Sequence, residues 1–125
     1  MKAMVLKQFG GVENFSLEEI PEPQVDNGQV LIRVKAIGIN PVDIKTRKGN
    51  GQARQYKDAL KMVIGWDVAG VITRVAGDVK DFSVGDEVFG TINFPGQGGA
   101  YAEYAVAPAN QIVRNPANTS MPEAA

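Results

Sequence analysis

The sequence predicts a mainly β fold, a small and partly open barrel carrying one or two short helices. Three observations carry that expectation: short apolar runs with period-two alternation, clusters of Gly and Pro that separate them, and one compact, well-capped helix between strands. A parallel α/β sheet would instead need a long amphipathic helix after each strand, and the chain offers none.

In chain order, residues 1–9 read as a first strand closed by Gly10-Gly11, and residues 15–20 as a second, ended by Pro21-Glu22-Pro23. Asp26-Asn27-Gly28 is a turn signal. From Gln29 the pattern alternates, with Val30, Ile32, Val34 and Ala36 facing one way and Leu31, Arg33 and Lys35 the other. That half-buried strand leads to Gly38 and the helix.

The helix is specified residue by residue. Asn40 is placed to cap it through its side-chain oxygen, and Pro41 suits the first helical position because it has no N–H to leave unpaired. Asp43 falls in the first turn, where a carboxylate meets the positive end of the helix dipole. Arg47, four residues on, is spaced to pair with Asp43 along one face, and Gly49 ends the turn.

Residues 50–61 are polar and aperiodic, a loop with one helical turn that is either a lid or simply solvated. Residues 68–75 form a further strand, in which Gly70 signals a bend or a close backbone approach. Ala76-Gly77-Asp78 and Val84-Gly85-Asp86 are turns. Strands follow at 87–93 and 100–107, joined by the loop 94–99, with a last short one at 111–114. Ser120-Met121-Pro122-Glu123 has capping-box spacing, so a helix is announced just before Ala125. The same four residues also suit a frayed tail.

Composition narrows the function classes. With 44% hydrophobic and 22% charged residues in 125, the chain is an ordinary globular domain, and a net charge of −1 gives no electrostatic reason to expect nucleic acid or an anionic membrane. Only four uncharged residues separate Lys2 from Lys7, too few for a signal-peptide core or a membrane span, so the cytoplasm is the expected compartment. There is no Cys and no His. That removes disulfides, thiolate nucleophiles and imidazole bases, and leaves only oxygen ligands for a metal.

Several local motifs fail on their own chemistry. Gly96-Gln97-Gly98-Gly99-Ala100-Tyr101 begins like a phosphate-binding turn, but its last position is Tyr and no amphipathic helix follows. The carboxylate pairs Glu18-Glu19 and Asp86-Glu87 lie on strands, where neighbours face opposite ways. Ser16, Ser83 and Ser120 have no His and no nucleophile elbow.

The order Gly38-x-Asn40-Pro41-x-Asp43-x-x-x-Arg47-x-Gly49, with Gly65-Trp66-Asp67-Val68-Ala69-Gly70 and Phe82-Ser83-Val84-Gly85-Asp86-Glu87-Val88-Phe89-Gly90, resembles the N-terminal half of the medium-chain dehydrogenase/reductases. Within them it is similar to the zinc-free quinone oxidoreductase and enone reductase branch. The resemblance spans nearly the whole chain. It implies a GroES-like catalytic domain over residues 1–119, with 120–125 starting a helix that leads to a nucleotide-binding Rossmann domain. The active site would lie in the cleft between them, with NADPH preferred over NADH and held mainly beyond this chain.

In zinc-dependent members the position matching Asn40 is a Cys ligand and that matching Trp66 a His ligand, so no zinc is expected here. Without a Lewis acid, hydrogen-bond donors must hold the charge that develops on a carbonyl oxygen. The resemblance makes Asn40 and Lys45 the catalytic candidates, Asn40 and Pro41 the cofactor contacts, and Asp43, Trp66 and Phe94 the substrate contacts. Lys45 stands where many quinone oxidoreductases carry Tyr; it equally suits a solvated helix surface. Trp66 suits either a cleft wall or the core, and Phe94 and Tyr101 either an apolar lining or hairpin packing. Asp67 is placed to pair with a cation or cap a turn.

The expected function is the substrate half of an oxidoreductase that reduces quinones or α,β-unsaturated carbonyls. The isolated piece would be silent and the whole protein a homo-oligomer. A co-chaperonin-like assembly module and an enoyl-thioester reductase of the same superfamily are the alternatives.

Overall fold

The computed structural model describes residues 1–116 and 119–125. Strands β1 (Lys2–Leu6) and β2 (Phe15–Glu19) pair antiparallel, from Lys2 opposite Glu19 to Leu6 opposite Phe15. The larger sheet is built on β3 (Gln29–Gly38), flanked by β4 (Asp67–Val75) and β6 (Tyr104–Pro108). Beyond β4 lie β5 (Glu87–Thr91) and the two-residue β7 (Val113–Arg114), giving the order β6-β3-β4-β5-β7 with every pair antiparallel.

The two sheets do not close on each other. They meet through isolated bridges, Ala3 with Ala102 and Leu6 with Met62, so the mainly β, open-barrel expectation holds as two linked sheets.

Where the sequence pattern and the fold part company, bulges explain it. The β3–β4 register slips between Leu31 and Ile32 and again between Val34 and Ala36. Each slip twists the strand, and Leu31 is buried along with Val30 and Ile32 although alternation put it on the outer face. Arg33 and Lys35 are exposed as expected. The expected strand over 100–107 begins only at Tyr104, because residues 100–103 bend across to β1: Met4 N–H donates to the Tyr101 carbonyl at 2.9 Å and Glu103 N–H to that of Lys2 at 3.0 Å. Gly70 is a close approach, since a Cβ there would overlap the carbonyl oxygen of Arg33.

Two buried clusters result. One, inside the five-stranded sheet, is aliphatic and includes Val30, Ile32, Val68, Ile72, Val88 and Ile92. The other joins Leu6, Tyr56, Ile64 and Trp66 beneath the segment that carries the short helix α1 (Pro41–Arg47). Helix α2 (Met121–Ala124) has the capping box its sequence announced, with Ser120 Oγ accepting from Glu123 N–H. It packs on β3 and β4, and a Cβ at Gly38 would lie 3.3 Å from the carbonyl carbon of Ala125.

Glu18, Glu19 and Asp86 form surface ion pairs. Glu18 meets Lys61 at 2.7 Å and Lys7 at 3.0 Å, and these two bonds hold it below the usual carboxylate range, while Glu19 faces the N-terminal ammonium at 3.3 Å. No helix among the described residues is long and apolar enough to cross a membrane.

Candidate functional site

Helix α1 starts where β3 ends, and its termini behave as the sequence dictates in outline. Asn40 is the capping residue with extended backbone, its carbonyl accepting from Asp43 N–H at 3.0 Å; Pro41 opens the first turn; Gly49, at φ 102°, lies in the left-handed region that ends it. The Asn40 side chain, however, makes no capping bond. Its Nδ2 donates instead to Asp67 Oδ2 at 2.6 Å, and Thr91 Oγ1 donates to Asp67 Oδ1 at 2.7 Å. The bond to the carboxylate, charge-assisted and about twice as strong as a neutral one, sets the side-chain rotamer, and in that rotamer the amide oxygen makes no capping bond.

That arrangement fixes the orientation of the Asn40 amide. Asp67 only accepts when ionised, so the NH₂ group must face it. One of its two hydrogens is then committed, and the other has no partner among the described residues. Among the described residues, Asp67 therefore neither pairs with a cation nor caps a turn. It holds Asn40 in place from the first residue of β4.

The expected Asp43–Arg47 pair does not form. Asp43 is 2% exposed and turned into the protein, where Tyr101 Oη donates to its Oδ2 at 2.6 Å, while Arg47 donates to the Gly10 carbonyl. Burial pushes the Asp43 carboxyl above the usual range by more than the Tyr101 bond pulls it back. Burial also pushes the Tyr101 phenol up, and its bond to Asp43 adds to the shift. Asp43 Oδ1 has no hydrogen-bond partner among the described residues. Thr46, one turn further along the same buried face, accepts from Gln52 N–H at 3.0 Å.

Trp66 is 1% exposed, so its ring has no open face on which a flat ligand could stack. Its indole N–H donates to the Gly96 carbonyl at 3.0 Å, and Phe94, 43% exposed, meets it edge-on with centroids 6.1 Å apart. Of the two, Phe94 is the ring available to a ligand. Lys45 is exposed on α1, five residues after Asn40. Pro41 lies exposed beside Asn40.

The polar loop 50–61 contains a 3-10 turn, Ala53–Tyr56, and is pinned down. Gln52 Oε1 accepts from Gly96 N–H, Gln97 Nε2 donates to the Gln55 carbonyl, and buried Tyr56 accepts from Gly98 N–H and donates to the Val63 carbonyl. Sequence reasoning missed Tyr56. The available signal was a lone aromatic in a polar stretch, whose hydroxyl allows it to be buried if partners exist.

A model of the alcohol dehydrogenase GroES-like domain matches residues 26–117, the span that contains α1, β4 and the 94–99 loop. The chain belongs to that family. This GroES-like domain is 39% identical over its whole length to an NADPH-dependent alkenal/one oxidoreductase of Arabidopsis thaliana, described as chloroplastic, and covers 33% of it. It is 38% identical over 93% of its length to a quinone oxidoreductase of Lama guanicoe, covering 34% of that protein. Among solved structures, a quinone oxidoreductase from Coxiella burnetii superposes with a TM-score of 0.94 at 35% identity, over 99% of this domain and 39% of that chain. A mycobacterial neighbour solved with NADPH superposes at 0.81, with 33% identity, over 97% of this domain and 35% of that chain. The domain thus spans about a third of the length of the relatives it matches.

Within the GroES-like domain, the glycine loop is unsuited to phosphates. The N–H groups of Gly96, Gly98 and Gly99 are already given to Gln52 Oε1, Tyr56 Oη and the Val63 carbonyl. Three committed donors leave no cradle for a pyrophosphate there.

Proposed function

We propose that the domain is the substrate side of a zinc-independent, NAD(P)H-dependent oxidoreductase, NADPH being preferred, that reduces quinones or α,β-unsaturated carbonyls. The observation that carries this reading is the Asn40–Asp67–Thr91 chain at the start of α1, which presents one free amide hydrogen from a fixed position. A bound dihydronicotinamide supplies a hydride. The protein's own task is then to hold the substrate carbonyl and the charge that grows on its oxygen.

Asn40 is the donor for that oxygen, and Asp67 acts through Asn40 by fixing its amide. Pro41, exposed beside it, forms with Asn40 the edge offered to the nicotinamide end. Phe94 offers an apolar edge for the substrate, and Trp66 acts through Phe94. Lys45, exposed on the same helix, is the second candidate, its ammonium able to hold the charge on an enolate or supply its proton. Asp43 borders an adjoining cavity.

The donor set argues for a metal-free site. The position of Trp66 holds an indole N–H already donating to Gly96, the position of Asn40 holds an amide, and the chain has no thiolate or imidazole. The dinucleotide phosphates belong to a Rossmann domain downstream, and α2, packed beside Gly38, is the proposed lead into it. A cytoplasmic homo-oligomer completes the reading. The tethered 50–61 loop is unlike the free recognition loop a co-chaperonin-like module would need, and relatives described as alkenal/one and quinone oxidoreductases favour those substrates over enoyl-thioesters.

The test is NADPH oxidation by the protein carrying its downstream domain, with a quinone, an enone and an enoyl-thioester as acceptors. The reading expects turnover on the first two, unaffected by a chelator. Activity lost on chelation, or confined to the thioester, would overturn it.

A further inference from the structure

Two Asn-Gly pairs occur in the chain, Asn27-Gly28 and Asn50-Gly51, and the fold treats them differently. An Asn side-chain amide is thermolabile, being open to attack by the backbone nitrogen of the residue that follows it. The attack is easiest before Gly, which has no Cβ to shield that nitrogen. The nitrogen must also be free, since its proton has to leave as the new bond forms.

Both Asn residues are exposed, and neither side-chain amide has a hydrogen-bond partner among the described residues. What differs is the nitrogen. Gly28 N–H donates to Asp78 Oδ1 at 2.9 Å, a charge-assisted bond that keeps the proton in place. Gly51 N–H has no partner among the described residues, and Gly51 is itself exposed. The bonds that hold Asn50 leave the reacting atoms alone: its backbone N–H donates to the Lys45 carbonyl at 2.8 Å, and its carbonyl accepts from Ala53 N–H at 2.8 Å.

We infer that Asn50 is a site of spontaneous deamidation in the folded protein, while Asp78 protects Asn27. The Gly51 nitrogen gives up its proton and bonds to Asn50 Cγ; the Cγ–Nδ2 bond breaks, and ammonia leaves with that proton, closing a succinimide. Water then opens one of the two imide C–N bonds. Opening at Cγ leaves an aspartyl residue at position 50, and opening at the backbone carbonyl leaves an isoaspartyl one, whose main chain runs through Cβ and Cγ. Nothing is oxidised or reduced, and water is the only reagent consumed.

The product acts beyond its own residue. The longer isoaspartyl main chain changes the spacing between the N–H held by Lys45 and the carbonyl held by Ala53, so the two bonds do not persist together. Either form also puts a carboxylate just past the C-terminal end of α1, the negative end of the helix dipole. Two residues on, Gln52 N–H donates to Thr46 Oγ1 at 3.0 Å and Gln52 Oε1 accepts from Gly96 N–H at 3.0 Å. Deamidation therefore loosens the tether between the 50–61 loop and the 94–99 loop that carries Phe94. The reaction needs no cofactor, so it stands or falls apart from the oxidoreductase reading.

The test incubates the 125-residue chain in mildly alkaline buffer and follows both Asn-Gly peptides by mass spectrometry, with isoaspartyl methyltransferase labelling to count the isoaspartyl product. Asn50 is expected to convert about tenfold faster than Asn27, the factor that one bond to a charged group is worth. In denaturant the two rates should come together. Asp78→Ala, at an exposed turn position, should raise the rate at Asn27 in the folded chain and leave that at Asn50 unchanged. The deamidated fraction should show faster amide exchange at Gly96. Equal rates in the folded chain would overturn the proposal, as would a ratio that persists in denaturant, an Asn27 rate indifferent to Asp78→Ala, or no conversion at either position. Unchanged exchange at Gly96 would overturn the coupling to the 94–99 loop.

Discussion

The two buried clusters are held together differently. The one inside the five-stranded sheet is made of Val, Ile and Ala, mostly from β3, β4, β5 and β6 with Ile92, Ala100 and Ile112 from the segments between, and has no polar side chain among its buried members. The one under α1 adds to Leu6 and Ile64 two aromatic side chains with polar tips, Tyr56 and Trp66, and Asp43 and Thr46 of α1 are buried as well. In the first, area removed from water does the stabilising. In the second, hydrogen bonds at named atoms decide which way each ring and the helix must sit. That difference separates a scaffold from a region whose geometry is set for a task.

Breaking the aliphatic side should give the largest effect. Ile72 is fully buried, and Ile72→Ala is expected to cost about 2–5 kcal/mol in denaturant unfolding, with the cavity adding to the lost transfer energy. Tyr56→Phe probes the other side. It removes a hydroxyl that donates to Val63 and accepts from Gly98, so about 1–3 kcal/mol is expected, with faster amide exchange in the 94–99 loop. A loss of stability without that local exchange would mean the ring alone, and not its tip, organises the loop.

The clusters should also differ in their response to pH. Burial pushes the phenols of Tyr56 and Tyr101 above the ordinary value of 10.0. Just above that value the unfolded chain loses these protons while the folded one keeps them, so stability declines as pH rises past about 10. Tyr56→Phe and Tyr101→Phe should each flatten that decline, and Ile72→Ala should leave its slope unchanged. Smallest of all is Lys45→Ala, at a solvent-facing position, expected to stay within about 0.5 kcal/mol of the unaltered chain.

The same contrast explains what the sequence made legible. Period-two alternation marked β3, a β-rich run marked β4, and Gly70 announced a bend or close approach, because apolar burial leaves a trace along the chain. Leu31 escaped, since a bulge shifts the phase without a residue type to signal it. The ends of α1 were legible for a similar reason: Asn40, Pro41 and Gly49 act through local backbone chemistry. Their partners were not legible. Asn40 lies 27 residues from Asp67 and Asp43 58 residues from Tyr101, and nothing local distinguishes a capping Asn from one that a distant carboxylate captures. Arg47 fell the same way, because helical spacing permits the Asp43 pair while the Gly10 carbonyl, fixed by another part of the chain, takes the guanidinium. Trp66 was open to two readings until its burial was known.

The central claim is that an amide held by Asp67, and no metal ion, steadies the oxygen of the substrate. It is tested most directly by the kcat of Asn40→Ala, in the protein with its downstream domain, for NADPH-dependent reduction of an enone. A loss of about 10²–10³-fold is predicted, the worth of one donor to a developing oxyanion. An unchanged kcat would contradict the account.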